Sequence, residues 1–468
     1  MNFHSFVYFI VRAGNGVFAI ATLAIFSQHL STADYGVYAL GIAIATVASG
    51  VLYQWLNVAV GRFYPAQRDE LEKIKVVTAL GYWFTTVVAA VLFIGVFQFR
   101  EIFDVDPVLI GILFLISVVQ ARHNLALQMA NSEGRPFRYG LISWSKGCGA
   151  LLTGLALINY GIGEKGALLG LLVGLLFSVL AFAPQPLLII RFHSLDKQLA
   201  ENMFRFGLPF AFNHLAIAFV DVADRFMIGS LLGVAYVAPY ALAYDLVQLS
   251  IGPTMNVLFL AAFPLIVRMF EVAQDDEARI RLHEFGSRLI ILGLPVTVGV
   301  GFFASDISDI LFRSDYRQDA TMIMPWLAAA IFVGAIKSYF LDVVFQLRNK
   351  TKYLGYIAIS MAVVNIALNL ILLPQYGVIG AAWATLVAFT TGALASWAVG
   401  KSFLSLPSLC SVFCRSVIAC AFMIVVLYLL PPSSGLMWLF TKFAVGFITY
   451  VLMTWVLDLA GCLRLFKS

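Results

Sequence analysis

Long apolar runs follow one another along the chain, each about as long as a helix that crosses a membrane. Runs such as 76–96 and 414–430 lack the alternation of apolar and polar residues that marks the strands of an outer-membrane barrel. About 20 apolar residues cross a bilayer as a helix, so the pattern predicts fourteen spans. The predicted spans cover residues 6–28, 36–61, 76–98, 107–130, 140–158, 166–189, 205–231, 236–263, 287–304, 322–345, 354–373, 378–399, 411–430 and 438–459.

The composition excludes a protein that is surrounded by water. Of the 468 residues, 61% are apolar and 12% are charged, and the mean hydropathy is +0.92. A soluble domain has about 25% charged residues. A soluble enzyme, a nucleic-acid-binding module and a disordered chain are therefore excluded. Because backbone in contact with lipid must satisfy its own hydrogen bonds, we expect an all-α, polytopic membrane protein.

The basic residues are distributed unevenly between the loops. Nineteen of the 30 lysines and arginines fall in one set of alternate loops, whereas the opposite set holds four. Those four residues are Arg100, Lys165, Arg313 and Arg317. The positive-inside rule then places both termini in the cytoplasm. The same rule accounts for the net charge of +5 without a nucleic-acid partner.

Two segments of the chain recur in its second half. Leu30 and Tyr38 correspond to Leu232 and Tyr240 with an offset of 202, and the segment 157–161 corresponds to 373–377 with an offset of 216. The repeats predict a six-helix lobe over residues 1–199, a second over 200–404 and an additional helix pair over 405–468. Repeated lobes in membrane proteins are typical of transporters that work by alternating access.

Little in the sequence indicates catalysis or a bound metal. The five cysteines show no ligand spacing and lie in or beside apolar runs. The G-x-G-x-x-G match at 161–166 joins two spans without a preceding strand, so it is interpreted as a turn. We expect no catalytic residues, cofactor or metal.

Ionisable residues at membrane depth are costly and point to function. Basic residues lie in the inner half of several predicted spans, and acidic residues of spans 7 and 8 lie in the outer half. Such a basic inner region is suited to an anionic diphosphate headgroup. The predicted substrate-binding residues are Arg12, Asn15, Arg122, Lys146, Asp221, Asp224, Arg225, Lys337, Asn365 and Asn369.

Structural roles are the alternative for several of these residues. Arg122 and Lys146 are long enough to reach the inner interface. Asp221 and Arg225 are four residues apart and can neutralise each other on one helix face. Asn365 and Asn369 share a face and can join helices by hydrogen bonds. The glycines 166, 170 and 174 indicate close helix packing.

Three stretches resemble bacterial polysaccharide flippases of the Wzx type. The run 26–38 is similar to their first outer turn, and Asp224-Arg225 resembles an acidic-basic pair of their seventh span. The stretch 365–385 is similar to a C-terminal signature of that family and of the wider multidrug and polysaccharide exporter superfamily.

The resemblance implies export of an undecaprenyl-diphosphate-linked oligosaccharide across the bacterial inner membrane, for O-antigen, lipopolysaccharide or exopolysaccharide synthesis. It also implies two lobes around a central cavity. The implied partners are the lipid-linked substrate, membrane lipid, a coupling ion (H⁺ or Na⁺) and other membrane proteins of polysaccharide assembly. The alternatives are a cation-coupled drug exporter and a membrane-embedded polymerase or ligase.

Overall fold

A computed structural model describes residues 3–65, 71–101, 106–183, 195–271, 275–348, 350–431 and 435–459. The side chains of some further residues, including 212–221, lie outside this description. The described residues contain helices and no strand, which confirms the predicted all-α fold class. The chain divides into two compact units, Met1–Val222 and Ala223–Ser468, with the division inside one long helix.

The described residues of the first unit form six long helices and the start of a seventh. A five-residue π-helical turn, Ile158–Ile162, joins the fifth to the sixth. The helices are α1 Phe3–His29, α2 Thr32–Phe63, α3 Leu71–Gln98, α4 Pro107–Ser132, α5 Pro136–Leu157, α6 Gly163–Phe182 and α7 Lys197–Leu231.

The second unit begins in α7, and the part of it that the structure describes adds seven long α-helices and two short ones. A second π-helical turn, Lys337–Leu341, separates two of them. The helices are α8 Val237–Glu271, α9 Asp275–Phe302, α10 Ala304–Leu311, α11 Ser314–Ile336, α12 Val343–Leu347, α13 Lys352–Tyr376, α14 Val378–Gly400, α15 Cys410–Tyr428 and α16 Leu436–Val456.

The long helices agree with the fourteen predicted spans. Twelve helical stretches of the described chain are long and apolar enough to cross a membrane, and one of them, Pro136–Phe182, contains both α5 and α6. The remaining long helix is α7, with 35 residues. Helices α8 and α9 extend beyond the predicted spans, since α8 continues to Glu271 and α9 begins at Asp275.

Polar residues at the helix starts fix where two spans begin. The side chain of Ser31 accepts the backbone N–H of Asp34 at 3.2 Å, and the Asp106 carboxylate accepts that of Val108 at 2.8 Å. Such N-caps satisfy backbone donors that have no partner within the helix. Asp106 also forms an ion pair with Lys165 of α6, which ties α4 to α6 at this end.

Glycines allow α5 and α6 to pack backbone against backbone. A Cβ atom at Gly170 would lie 2.3 Å from the Cα of Gly154, and one at Gly174 would lie 2.5 Å from the carbonyl oxygen of Lys146. Larger residues are therefore excluded from both positions. The predicted packing role of these glycines is confirmed.

The turn between α5 and α6 and the turn between α13 and α14 have related backbones. Gly163, before α6, has φ/ψ of 58°/−135°, and Gly377, before α14, has 63°/−147°. These φ values favour glycine, because a side chain is strained there. The structural offset between the two glycines is 214, so the π-helical turn 158–162 accommodates two residues that the later copy lacks.

A candidate cation and anion site in the membrane helices

A buried carboxylate, that of Asp224 in α7, lies where three other helices of the second unit meet. Its side chain is 2% exposed. The Tyr240 hydroxyl of α8 donates to Oδ2 at 2.5 Å, and Thr385 Oγ1 of α14 lies 2.6 Å from the same oxygen. The Asn369 amide of α13 donates to Oδ1 at 2.7 Å. Four helices therefore converge on one carboxyl group.

The cluster around Asp224 contains more acceptors than donors. Asn369 Nδ2 lies 3.0 Å from the Asn365 carbonyl oxygen and 3.2 Å from Asn365 Oδ1, and Asn369 Oδ1 is buried without a hydrogen-bond partner. Thr385 Oγ1 also lies 2.9 Å from the carbonyl oxygen of Ala381, although it has a single hydrogen to donate. A buried acceptor without a donor is unfavourable, and a bound cation would satisfy Asn369 Oδ1.

The chemistry of this oxygen cluster fits a small monovalent cation. In the part of the chain that the structure describes, Asp224 has no lysine or arginine within ion-pair distance, although a buried charge normally has a partner. One carboxylate and neutral amide, hydroxyl and carbonyl oxygens would balance a single positive charge. Asp224, Asn365, Asn369 and Thr385 are the side chains that would hold it.

Arg225, the neighbour of Asp224, forms an ion pair with Asp245 of α8. Its guanidinium carbon also lies 5.7 Å from the centre of the Tyr244 ring. The sequence left open a pairing of Arg225 with Asp221, whose side chain lies outside the described residues. The partner that the structure shows for Arg225, Asp245, lies on another helix.

Lys337 lies in a second buried cluster of the same unit. Its ammonium group is 2.7 Å from Asp342 Oδ2, and Ser396 of α14 donates to the other carboxylate oxygen at 2.6 Å. Both charged residues are buried. Lys337 is therefore neutralised within its own unit, which its depth in the sequence did not indicate.

In the first unit, Lys146 of α5 has a neutral partner. Its ammonium group donates to Gln120 Oε1 of α4 at 3.1 Å, and Gln120 donates in turn to Asn124 at 2.9 Å. Asn15 of α1 accepts a hydrogen bond from Ser143 of α5 at 2.9 Å. Helices α1, α4 and α5 thus carry a cluster of polar side chains. Its amine, that of Lys146, has no carboxylate beside it in the described structure.

The other two predicted basic residues of this unit differ in how far they are exposed. Arg12 is exposed on α1, one turn from Asn15, whereas Arg122 is buried on α4. His123, next to Arg122, is buried and lies 2.8 Å from the Ser178 hydroxyl of α6. The hydrogen bond from Lys146 to Gln120 favours an internal position for Lys146 over extension to the interface.

A sequence model of one family, described as "MurJ: Lipid II flippase MurJ", matches residues 107–449 of the chain. The match covers well over half of the 468 residues. The chain belongs to this family. The Wzx-type resemblance was therefore correct in its coarser sense, because both families lie within the exporter superfamily.

Solved structures support the same fold for this MurJ family member. The structure described as "Lipid II flippase MurJ, inward closed conformation" has a TM-score of 0.70 and 14% identity, over 97% of this chain and 98% of that chain. An inward-facing multidrug resistance MATE family transporter of the MOP superfamily has a TM-score of 0.63 and 14% identity, over 86% and 96%. A MOP superfamily transporter from Pyrococcus furiosus has a TM-score of 0.54 and 14% identity, over 85% and 94%. No curated protein matches the sequence significantly.

Several residues of these clusters were missed from the sequence of this MurJ family member. They are hydroxyl and amide groups on helices that are distant in the chain, namely Gln120, Tyr240, Thr385 and Ser396. Thr385 lies within the signature stretch 365–385 and Tyr240 within the repeated turn, so both carried a signal. That signal marked a family and a repeat, and it did not indicate contact with Asp224.

Proposed function

We propose that this protein moves a polyprenyl-diphosphate-linked saccharide across the bacterial inner membrane by alternating access. The observation that carries the proposal is the contrast in charge between the units. Lys337 and Arg225 in the second unit each have a carboxylate partner, whereas Lys146 in the first has the neutral Gln120. An amine without a counter-charge in a low-dielectric region binds phosphate strongly.

Lys146, Arg12, Asn15 and Arg122 are the proposed headgroup contacts of the first unit. A diphosphate offers several acceptor oxygens, so an ammonium, a guanidinium and an amide can bind it together. We assign Asp224, Asn365 and Asn369 to a coupling cation instead, because their oxygens would repel phosphate. Arg225 with Asp245, and Lys337 with Asp342, are proposed to respond to these ligands. Asp221 stays a predicted contact.

The proposed cargo is an undecaprenyl-diphosphate-linked oligosaccharide for the synthesis of a surface polysaccharide such as O-antigen. Lipid II is the second candidate, and the family match favours it. Both lipids carry a diphosphate, which the proposed headgroup contacts of the first unit are suited to bind. The choice between them depends on the sugar.

The proposed topology follows from the basic loops. Nineteen basic residues on one side and four on the other support a cytoplasmic position for both termini. We further propose that the repeats form two six-helix lobes over 1–199 and 200–404, with the pair 405–468 as an addition. Other polysaccharide-assembly proteins are proposed partners.

Flipping in vesicles that contain the purified full chain tests the proposal. A labelled undecaprenyl-diphosphate disaccharide and lipid II are placed in the inner leaflet, and their appearance outside is followed with membrane-impermeant enzymes. We expect Lys146→Met to slow flipping at least about tenfold, since loss of a charge-assisted hydrogen bond is worth about 1.5–3 kcal/mol. Lys401→Met, at an exposed helix end, is the matched control and should leave the rate unchanged.

The same vesicles distinguish the alternatives. Uptake of a cationic drug without movement of either lipid would replace the proposal with drug export. Elongation or transfer of the sugar would indicate a polymerase or ligase. Flipping of lipid II alone would retain the mechanism and change the cargo.

A further inference from the structure

A wide, π-helical turn separates α11 from α12. The turn is π-helical over Lys337–Leu341, and the backbone N–H of Asp342 donates to the carbonyl oxygen of Lys337 at 2.8 Å. An α-helix would bond residues four apart, whereas this bond joins residues five apart. Single π-helical turns inside α-helices are rare and occur often at functional sites.

The side chains of the same two residues are joined as well. Lys337 Nζ lies 2.7 Å from Asp342 Oδ2. In an α-helix each residue turns about 100°, so residues five apart point about 140° from each other and their side chains diverge. The wide turn brings them together. The ion pair therefore depends on the π-helical turn.

The surface of α14 is shaped to receive this pair. Ser396 donates to Asp342 Oδ1 at 2.6 Å. One turn earlier, a Cβ atom at Gly392 would lie 3.2 Å from Lys337 Cε and 2.2 Å from the sulfur of Met361. The absence of a side chain at Gly392 thus leaves the space that Lys337 occupies.

A buried ion pair adds little net stability compared with apolar residues of similar size, although loss of one partner is strongly destabilising. The pair is therefore better suited to specify one of two helix registers than to hold the fold together. Closure of the wide turn to an α-helix would rotate α12 by about 100° and shift it by about 1.5 Å relative to α11.

We propose that residues 337–342 form a register switch, in which the Lys337–Asp342 ion pair holds the π-helical turn and its opening rotates α12. An anionic headgroup that competes with Asp342 for Lys337 opens the switch, a step that rests on the proposed function. The switch itself does not depend on that step. Lys337 and Asp342 are positioning residues in this inference.

Cysteine accessibility across α12 reports the register. In the structure Val343, Val344 and Phe345 are buried, and residues 346 and 347 are partly exposed. Single cysteines are placed at 343–347 in a full-length chain whose native cysteines are replaced, and the rate of N-ethylmaleimide modification is measured without any cargo. We expect slow modification at 343–345 and faster modification at 346 and 347.

Neutralisation of the pair should move this pattern. In the double variant Lys337→Met/Asp342→Asn, we expect the protected block to shift by one residue, with at least a tenfold change in rate at a border position. The exchange Lys337→Asp/Asp342→Lys restores an ion pair across the same turn and should restore the original pattern. An unshifted pattern in the double variant would overturn the register switch.

A milder variant decides the question if these chains do not fold. Ser396→Ala keeps both charges but removes one hydrogen bond, and we expect modification at a border position to change severalfold. In Ser360→Ala the lost hydroxyl is one that donates within α13, to the carbonyl oxygen of Ile357 at 2.8 Å, so this variant is the matched control and should have no effect. An unchanged rate in Ser396→Ala would also contradict the proposal.

Addition of undecaprenyl diphosphate to the wild-type chain tests the trigger separately. A shifted pattern supports opening by an anionic headgroup. A pattern that shifts in the double variant but does not respond to this lipid retains the switch and overturns the trigger. Loss of flipping with intact register behaviour would contradict the proposed function alone.

Discussion

Replacement of Asp224 by Asn removes one negative charge and keeps the shape of a side chain that is 2% exposed. The carboxylate has three polar neighbours within 2.7 Å, on Tyr240, Thr385 and Asn369. A hydrogen bond to a charged group exceeds a neutral one by about 1 kcal/mol, so the change loses about 3 kcal/mol. Removal of a buried charge offsets this loss by several kcal/mol. We therefore expect little change in stability without a cation.

The wild-type chain and Asp224→Asn should differ in stability when a cation is added. A ligand at 100 times its Kd stabilises the folded chain by about 2.7 kcal/mol. We expect NaCl, compared with choline chloride at equal ionic strength, to raise the Tm of the wild-type chain by a few degrees, with a rise that follows the logarithm of the sodium concentration. Asp224→Asn should show no such rise, because the charge that balances the cation is gone.

Thermal unfolding of the purified full chain measures both effects. Asp306→Asn is the matched control, because Asp306 has its own partner in Lys442 at 2.9 Å, so this variant should retain the sodium response. A full sodium response in Asp224→Asn would refute the assignment of the cation to this cluster. A wild-type chain that responds equally to sodium and choline would refute it as well.

Three further predictions concern the first unit. Gly170→Ala should destabilise the chain by about 1–3 kcal/mol, because the added Cβ would meet the α5 backbone. The measured effect is a lower yield and a lower Tm. Gly95→Ala, where a Cβ has open space, is the control and should not lower either. Lys165 lowers the pKa of the Asp106 carboxyl in the folded chain, so the stabilisation is present above the unfolded pKa and is lost as the pH falls through the folded one. Asp106→Asn keeps an N-cap residue and should remove that acid-range dependence of Tm; an unchanged profile would exclude the ion pair as its source. Lys146→Met should weaken binding of undecaprenyl diphosphate at least about tenfold in a lipid-binding titration, and equal binding would remove Lys146 from the headgroup site.

Much of the fold was determined by features that act locally. A membrane-crossing helix satisfies its backbone within itself and needs about 20 apolar residues, so each span was visible in its own stretch of chain. The glycines at 166, 170 and 174 predicted close packing for the same reason, since their spacing lies on one helix face. The resemblance of the stretch 365–385 also led to the correct superfamily.

The partners of the polar residues were decided by tertiary structure. Depth in a span suggested that Lys337 carries a free charge, but Asp342 neutralises it because a π-helical turn brings residues five apart onto one side. Helix spacing left open a pairing of Arg225 with Asp221, and the structure shows an ion pair of Arg225 with Asp245 of another helix. The cluster around Asp224 joins residues that are distant in the sequence, such as Asp224 and Thr385.

The sequence by itself determined the class of protein, the spans and the scarcity of charge, because each depends on short stretches of chain and on the solvent around them. Only the tertiary structure decided which of those few charges are neutralised and which are not. The sign and strength of a buried charge depend on neighbours within a few ångströms. Helix packing, which is set by many weak apolar contacts, brings those neighbours from distant parts of the chain.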